Sequence, residues 1–264
     1  MDGGPLVSIV APTYGRAGLL ARMLASVEAT VALPHEVICV TVGDDGPTQE
    51  LLAGAPGVVN LVEARRGGFV RAANAGFGAA RGRWVCQLND DCELMPYAVE
   101  NAVRFMEAPA HRDVGQAAFF HDTPVRRNIE REIRVEGTRY VVCHVRGLCF
   151  ANFGLVSREL GDRLGWYDER FFMYGADPDF SLRVWHEAGL RVSPCAGALV
   201  RHLEVEDERS SGERRRQGED NALLFEKWGM SAGGVPASGR AIGQAAAALA
   251  PEGALDHFAR NDSI

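Results

Sequence analysis

Val7-Ser8-Ile9-Val10-Ala11-Pro12-Thr13-Tyr14-Gly15-Arg16 begins as an apolar run, stops at a proline and breaks into polar residues. The run Val7 to Ala11 reads as a buried strand, and Pro12 marks its end. Leu19 to Val27 follows with helical spacing at Leu19, Leu20, Met23, Leu24 and Val27. Val37 to Val42 is a second β-rich run, closed by Gly43-Asp44-Asp45-Gly46-Pro47. Asn60 to Val62 is a short third strand, and Val70 to Ala80 an alanine-rich helix. Trp84 to Leu88 is a fourth strand that runs directly into Asn89-Asp90-Asp91. Pro96 to Met106 reads as a helix with a proline at its start. Strands separated by helices predict an α/β fold, a mostly parallel central sheet flanked by helices. In such sheets ligands bind beyond the carboxyl ends of the strands. The clusters Thr13 to Arg16, Asp44 to Gly46 and Asn89 to Asp91 are therefore expected to converge on one crevice.

The second half is less regular. Asp122 to Arg134 is charged and reads as a loop or an edge segment. Gly147 to Val156 is mostly apolar, and Ser157 is placed to cap a short helix through Leu164. Trp166 to Tyr174 is aromatic-rich, Phe180 to Ala188 has helical spacing, and Ala198 to His202 reads as a late strand. Arg201 to Gly218 is highly charged and expected to be mobile, with one more helix over Asn221 to Trp228. From Gly229 small residues dominate, which predicts a weakly ordered tail or a loosely docked helix near Gln244 to Leu249. The expected organisation is one domain over 1–228, with a nucleotide-binding half to about residue 92, an acceptor half from 93, and a tail over 229–264.

The composition is that of a globular protein: 264 residues, 47% hydrophobic and 24% charged. A formal charge of −7 gives no global basic field for nucleic acid or anionic lipid. Lys227 is the sole lysine. With alanine and glycine plentiful, that bias reads as the mark of a GC-rich genome. No run of about 18 apolar residues is present, so no integral membrane segment is expected. The start, Met1 to Pro5, lacks the pattern of a secretory signal. None of the six cysteines forms a Cys-x-x-Cys pair. A cytoplasmic setting without disulfides follows as an expectation. Oligomeric state is open, with a homodimer allowed.

Two adjacent carboxylates at a strand end, Asp90 and Asp91, repel each other unless water or a cation compensates. A divalent cation with oxygen ligands is a natural partner; an acidic, solvated turn is the plainer alternative. His202 also follows a strand, and imidazole suits Mn²⁺ better than Mg²⁺. A lone histidine is more often structural. Asp44 and Asp45 lie in a turn or offer a carboxylate to a base N–H. Gly67-Gly68-Phe69-Val70-Arg71 opens a helix, where backbone N–H groups can meet an anion. Asp177-Pro178-Asp179 precedes a helix. Asp179 suits a cap, whereas Asp177, beside Phe171-Phe172-Met173-Tyr174-Gly175, sits where desolvation raises proton affinity and suits a general base. Arg214-Arg215-Arg216 is a solvated charge run or a lid over a diphosphate.

Taken in order, these pieces resemble the inverting family 2 glycosyltransferases of the GT-A fold. The resemblance runs from Val7 to Trp228: the opening strand through Tyr14, Asp44-Asp45-Gly46, Gly68-Phe69 to Asn74-Ala75-Gly76, Ala80-Arg81-Gly82 and Leu88-Asn89-Asp90-Asp91. It continues through Gly165 to Phe172, similar to the family's G-x-x-D-E-x-F-F, and Gly175 to Arg183, similar to E-D-x-D-x-x-x-R. His202 and Lys227-Trp228 stand where the family often has them. Asn89 takes the first position of the Asp-x-Asp pattern, and Ala176 the usual acid before the proposed base.

The resemblance implies a nucleotide-sugar donor held by Pro12, Thr13, Tyr14, Arg16, Asp44, Gly68, Arg71, Asn89 and Asp90. Asp44 would recognise the base, and Arg71 would approach the phosphates. Asp91, with His202, would hold Mn²⁺ or Mg²⁺. Asp177 would deprotonate the acceptor hydroxyl, with inversion at the sugar. UDP is the favoured donor nucleotide, with dTDP and GDP open. The acceptor would be a carbohydrate, a lipid-linked or a small molecule, and the resemblance leaves room for a peripheral place at the inner membrane face. The competing readings are a non-catalytic nucleotide-sugar binder, a sugar-nucleotide pyrophosphorylase and a nicotinamide-dependent oxidoreductase. Against the last, Arg81 occupies the third glycine position of a dinucleotide fingerprint.

Overall fold

The chain is described by a computed structural model over residues 3–123, 128–205 and 208–229, the side chains of 208–215 excepted. The first half alternates as expected: β1 (Val7–Pro12), α1 (Ala17–Thr30), β2 (His35–Val42), α2 (Gly46–Ala53), β3 (Val58–Glu63), α3 (Phe69–Ala79) and β4 (Trp84–Gln87). β5 (Cys92–Leu94), α4 (Ala98–Glu107), β6 (Val114–Asp122), β7 (Ile129–Val135), β8 (Thr138–Val145), β9 (Leu148–Phe150) and β10 (Gly154–Ser157) follow. The described chain ends with α5 (Arg158–Leu164), α6 (Ala176–His186), β11 (Arg191–His202) and α7 (Glu208–Lys227).

The sheet runs β3-β2-β1-β4-β10-β6-β11-β5. Its first four strands are parallel, and a helix joins each to the next along the chain. Beyond β4 the pairing turns mixed: β10 is antiparallel to β4 and β6, β11 parallel to β6, and β5 antiparallel to β11. β7, β8 and β9 form an antiparallel meander attached to β6. β1 shows why its sequence is apolar throughout. Val10 enters the core on one face with α3 and α6, while Val7, Ile9 and Ala11 enter the core on the other with α1 and α4. A strand covered on both faces loses the alternation of a half-exposed one.

Several boundaries differ from expectation, each for a local reason. α2 was not anticipated. Asp45 caps it by accepting the Thr48 N–H at 3.4 Å, with proline in its first turn, so the Asp44–Pro47 cluster starts a helix as well as ending a strand. α4 begins at Ala98, after Tyr97 at φ 64, leaving Pro96 outside the helix. Asp122 to Arg134 divides into the end of β6 and the edge strand β7, with 124–127 outside the described residues. The charged run from Arg201 is strand to His202 and helix from Glu208, so the helix expected at Asn221 is the end of a longer one. Ser157 caps α5 as its sequence implies, accepting the Leu160 N–H at 3.2 Å. The expected tail, with its helix near Gln244 to Leu249, lies outside the described residues beyond Gly229. No helix among the described residues is long and apolar enough to cross a membrane.

Candidate active site

The turns after β1, β2 and β4 meet at one rim. Thr13 N–H donates to the Val40 carbonyl at 2.9 Å, tying the end of β1 to β2. The Thr13 hydroxyl donates to Asp90 Oδ2 at 2.9 Å, and Gly15 N–H to Asp45 Oδ2 at 2.6 Å. Arg16 Nη1 reaches Asp91 Oδ2 at 2.9 Å and Asp90 Oδ1 at 3.4 Å. The convergence expected of Thr13–Arg16, Asp44–Gly46 and Asn89–Asp91 is thus built from hydrogen bonds. Asn89 accepts from the Gln87 side chain at 2.9 Å and lines the cleft with both aspartates.

His202 joins this rim through the far edge of the sheet. β5 follows the aspartates immediately, and its antiparallel register with β11 sets Cys92 opposite His202. His202 Nε2 lies 3.3 Å from Asp91 Oδ1, and its Nδ1 faces Glu204 Oε1 at 3.6 Å. Its backbone N–H donates to Asp122 Oδ1. Burial works to raise the Asp91 carboxyl, but hydrogen bonding and charge from His202 and Arg16 outweigh it and hold the group below the ordinary carboxylate range. Ligand atoms of Asp91, His202 and Cys92 lie within 4.8 Å of one another. Burial pushes the Cys92 thiol well above its usual range. The carboxylate oxygen of Asp91 and the imidazole nitrogen of His202 suit Mn²⁺, and the carboxylate suits Mg²⁺. The residues therefore fit the expected ion.

A cleft of about 600 Å³ opens over this rim. Its opposite wall carries Asp177, in the first turn of α6, with Tyr174 and Pro178. Desolvation pushes the Asp177 carboxyl up to about 7, and a hydrogen bond from Tyr167 offsets part of the rise. Asp177 Oδ1 is buried without a hydrogen-bond partner among the described residues, as is Asn152 Oδ1 on the same cleft. The Asn152 oxygen accepts only, and the Asp177 oxygen accepts when the carboxyl is ionised. Asp179 differs: it is fully buried and takes Arg183 Nε at 3.1 Å, Lys227 Nζ at 2.8 Å and Trp228 Nε1 at 2.8 Å.

A second hollow adjoins the cleft, between the ends of β1, β2 and β3 and the start of α3. Thr13, Tyr14, Glu63, Arg66 and Gly68 line it. Arg66 lies over the Tyr14 ring, 4.8 Å from its centroid. Gly68 has φ 98, and a β-carbon there would meet Phe172 ring and backbone atoms at 2.7 to 2.8 Å. Asp44 is exposed and lines neither hollow, whereas its neighbour Asp45 is consumed by Gly15 and α2. Arg71 is exposed on α3 and lines neither hollow.

α7 holds the wall that carries Asp177. Asp220 accepts the N–H groups of Phe172, Met173 and Tyr174 at 2.9, 3.0 and 2.8 Å. Lys227 also bonds Asp168 at 2.8 Å, and Arg216 lies over Phe172 at 4.2 Å. Of the expected arginine lid, Arg214 and Arg215 have side chains outside the described residues. Sequence reading singled out none of Glu63, Arg66, Asn152 or Asp220. Asp220 falls between the charged run ending at Gly218 and the helix expected from Asn221, and no local signal pairs it with residue 172.

The fold matches solved glycosyltransferases at low sequence identity. The mannosyltransferase PcManGT from Pyrobaculum calidifontis, in complex with GDP-Man and Mn²⁺, superposes with a TM-score of 0.59 at 16% identity, over 97% of this chain and 79% of its own. Residues 1–349 of S. aureus TarS match with a TM-score of 0.62 at 14% identity, over 97% of this chain and 71% of theirs. The same protein in complex with UDP-GlcNAc gives 0.66 at 14%, over 92% and 71%. No curated protein matches the chain in sequence. The glycosyl transferase family 2 model matches residues 8–162, more than half of the chain and all of the rim from β1 through β5. With the GT-A-like sheet, that match makes this chain a member of glycosyl transferase family 2, and the protein a glycosyltransferase.

Proposed function

We propose that the protein transfers one sugar from a nucleoside-diphosphate donor to an acceptor hydroxyl with inversion, using Asp177 as the base. The observation that carries the reading is Asp177 itself. Its carboxyl is pushed up to about 7, its Oδ1 is buried and unpartnered, and it faces a cleft whose other rim holds Asp90, Asp91 and His202. An unpaired acceptor oxygen in that place is ready to take a hydroxyl proton.

Residues to about 92 form the donor half and 93–228 the acceptor half. Thr13, Tyr14 and Gly68 line the hollow proposed for the nucleoside, where Glu63 offers a carboxylate; Asp44, exposed outside the lining, would have to move to reach the base. Pro12, Arg16, Asn89 and Asp90 line the neighbouring cleft on the phosphate side. Asp91 and His202 are the proposed ligands of Mn²⁺ or Mg²⁺, an ion that would compensate the charge of the leaving diphosphate. Arg71 reaches the phosphates in this reading only by moving from its exposed position. The neighbours' donors, GDP-Man and UDP-GlcNAc, make GDP and UDP the first nucleotides to test.

The test is calorimetric titration of UDP, GDP, dTDP, CDP and NAD, each with and without Mn²⁺. Binding of one nucleoside diphosphate that requires Mn²⁺ is the expected outcome. Binding of NAD alone, or of none of the five, removes the donor assignment.

A further inference from the structure

Two neighbouring carboxylates at a sheet rim need a positive charge. Here the chain supplies one. Arg16 Nη1 lies 2.9 Å from Asp91 Oδ2 and 3.4 Å from Asp90 Oδ1, and its side chain is as enclosed as theirs, 5% exposed against 8% and 5%. Its other amino group, Nη2, donates to the Val205 carbonyl at 2.8 Å. The guanidinium thus joins the two carboxylates to the segment between His202 and α7. It holds Asp91 through Oδ2, while Oδ1 faces His202. A divalent ion bound by Asp91 and His202 would stand within a few ångströms of this guanidinium, because both cations share one carboxylate. At such range, in an enclosed place, like charges repel strongly. The carboxylates cannot comfortably serve both.

We propose that Arg16 is the resident counter-ion of Asp90 and Asp91, exchanged for the divalent ion when the metal binds, so that it sets the metal affinity of the site. The inference rests on the reading of Asp91 and His202 as metal ligands. Exchange breaks the link from Asp91 through Arg16 to Val205, so metal arrival loosens the segment after β11. The displaced guanidinium stays beside the cleft, where an anionic diphosphate gives it a new partner.

The test is Mn²⁺ titration of the full chain without nucleotide, read from the electron paramagnetic resonance of the free ion. Arg16→Gln removes the competing charge and keeps a polar side chain, and its Mn²⁺ dissociation constant is expected to fall at least ~tenfold. Arg16→Lys keeps the charge but cannot hold Val205 and both carboxylates in the same way. It is expected to fall between the two, and it serves if Arg16→Gln does not fold, as judged by a cooperative melt. Binding by Arg16→Gln where the wild type shows none also supports the exchange. An equal or weaker affinity in whichever variant folds overturns it, as does absence of binding in every form. Adding Asp91→Ala to Arg16→Gln must abolish the gain; a gain that survives places the ion elsewhere and overturns the proposal. Asp91→Ala alone separates the two readings. If it loses Mn²⁺ while Arg16→Gln gains nothing, the ligands stand and the exchange falls. If it keeps Mn²⁺ unchanged, the ligand assignment falls.

Discussion

The Asp220 carboxylate accepts the backbone N–H of Tyr174 at 2.8 Å, from a helix that begins after the last site strand. The same carboxylate takes the two preceding N–H groups, so one buried side chain fixes the loop leading into Asp177. Charge-assisted bonds to a carboxylate are the stronger kind, and without it three backbone donors lose their partner. Asp220→Ala is expected to cost roughly 2–4 kcal/mol in urea unfolding. It should raise the acceptor KM while leaving nucleoside-diphosphate affinity near the wild-type value.

Asp177 gives a pH dependence with a definite sign. A base must be ionised to work, so kcat/KM should rise with pH through about 7 and then level off. Asp177→Asn should keep nucleotide affinity and lose transfer by roughly 10²–10⁴-fold. A pH profile flat between 5 and 9 would remove Asp177 from this role.

The same shift predicts stability in the opposite sense. The folded carboxyl titrates near 7 against a reference of 3.8, so folding favours the protonated form. That contribution is complete below 3.8 and lost as pH rises through 7. Asp177→Asn, which does not titrate, should therefore gain on the wild type between pH 4 and 7 and hold a constant advantage above, on the order of 4 kcal/mol. Thermal melts in a chelator at pH 5 and pH 8 make the comparison.

Lys227 bonds Asp168 and the fully buried Asp179. Removing one partner leaves a carboxylate that Arg183 and Trp228 only partly compensate. Because the lysine is itself partly exposed, Lys227→Met is expected to cost about 1–3 kcal/mol in urea denaturation, less than a wholly buried pair would.

Gly68 is expected to refuse a side chain. Its φ of 98 disfavours any other residue, and the added carbon of Gly68→Ala would collide with Phe172. A loss of about 2 kcal/mol or more is predicted, with weakened donor binding, since the collision lies where α3 meets the nucleoside hollow. Calorimetry and a melt read both effects.

The parallel half was legible because β1, β2 and β4 are covered on both faces and read as largely apolar runs, while β3, at the sheet edge, is only partly covered. The polar clusters at the strand ends were legible for the same reason: strand direction alone decides where they meet. α2 was missed because Asp45 and Pro47 suit a turn and a helix start equally. The division of labour between Asp44 and Asp45 depends on Gly15, which no local pattern reveals. Asp220 and Asn152 escaped because their significance lies in what they face across the fold. The meander from Ile129 to Phe150 was blurred by charges on an edge strand, where one face meets water and apolar spacing fades.

The ladder between β5 and β11 has three rungs, and the last places Cys92 opposite His202. It makes two residues that are remote along the chain into near neighbours. Loops and strands between them can lengthen or shorten without altering that spacing, provided the ladder keeps its alignment. Inserting or deleting a single residue within Cys92–Leu94 or Val200–His202 would turn alternate side chains to the other face and carry the imidazole away from the carboxylate. In these two short stretches, the count of residues matters as much as their identity.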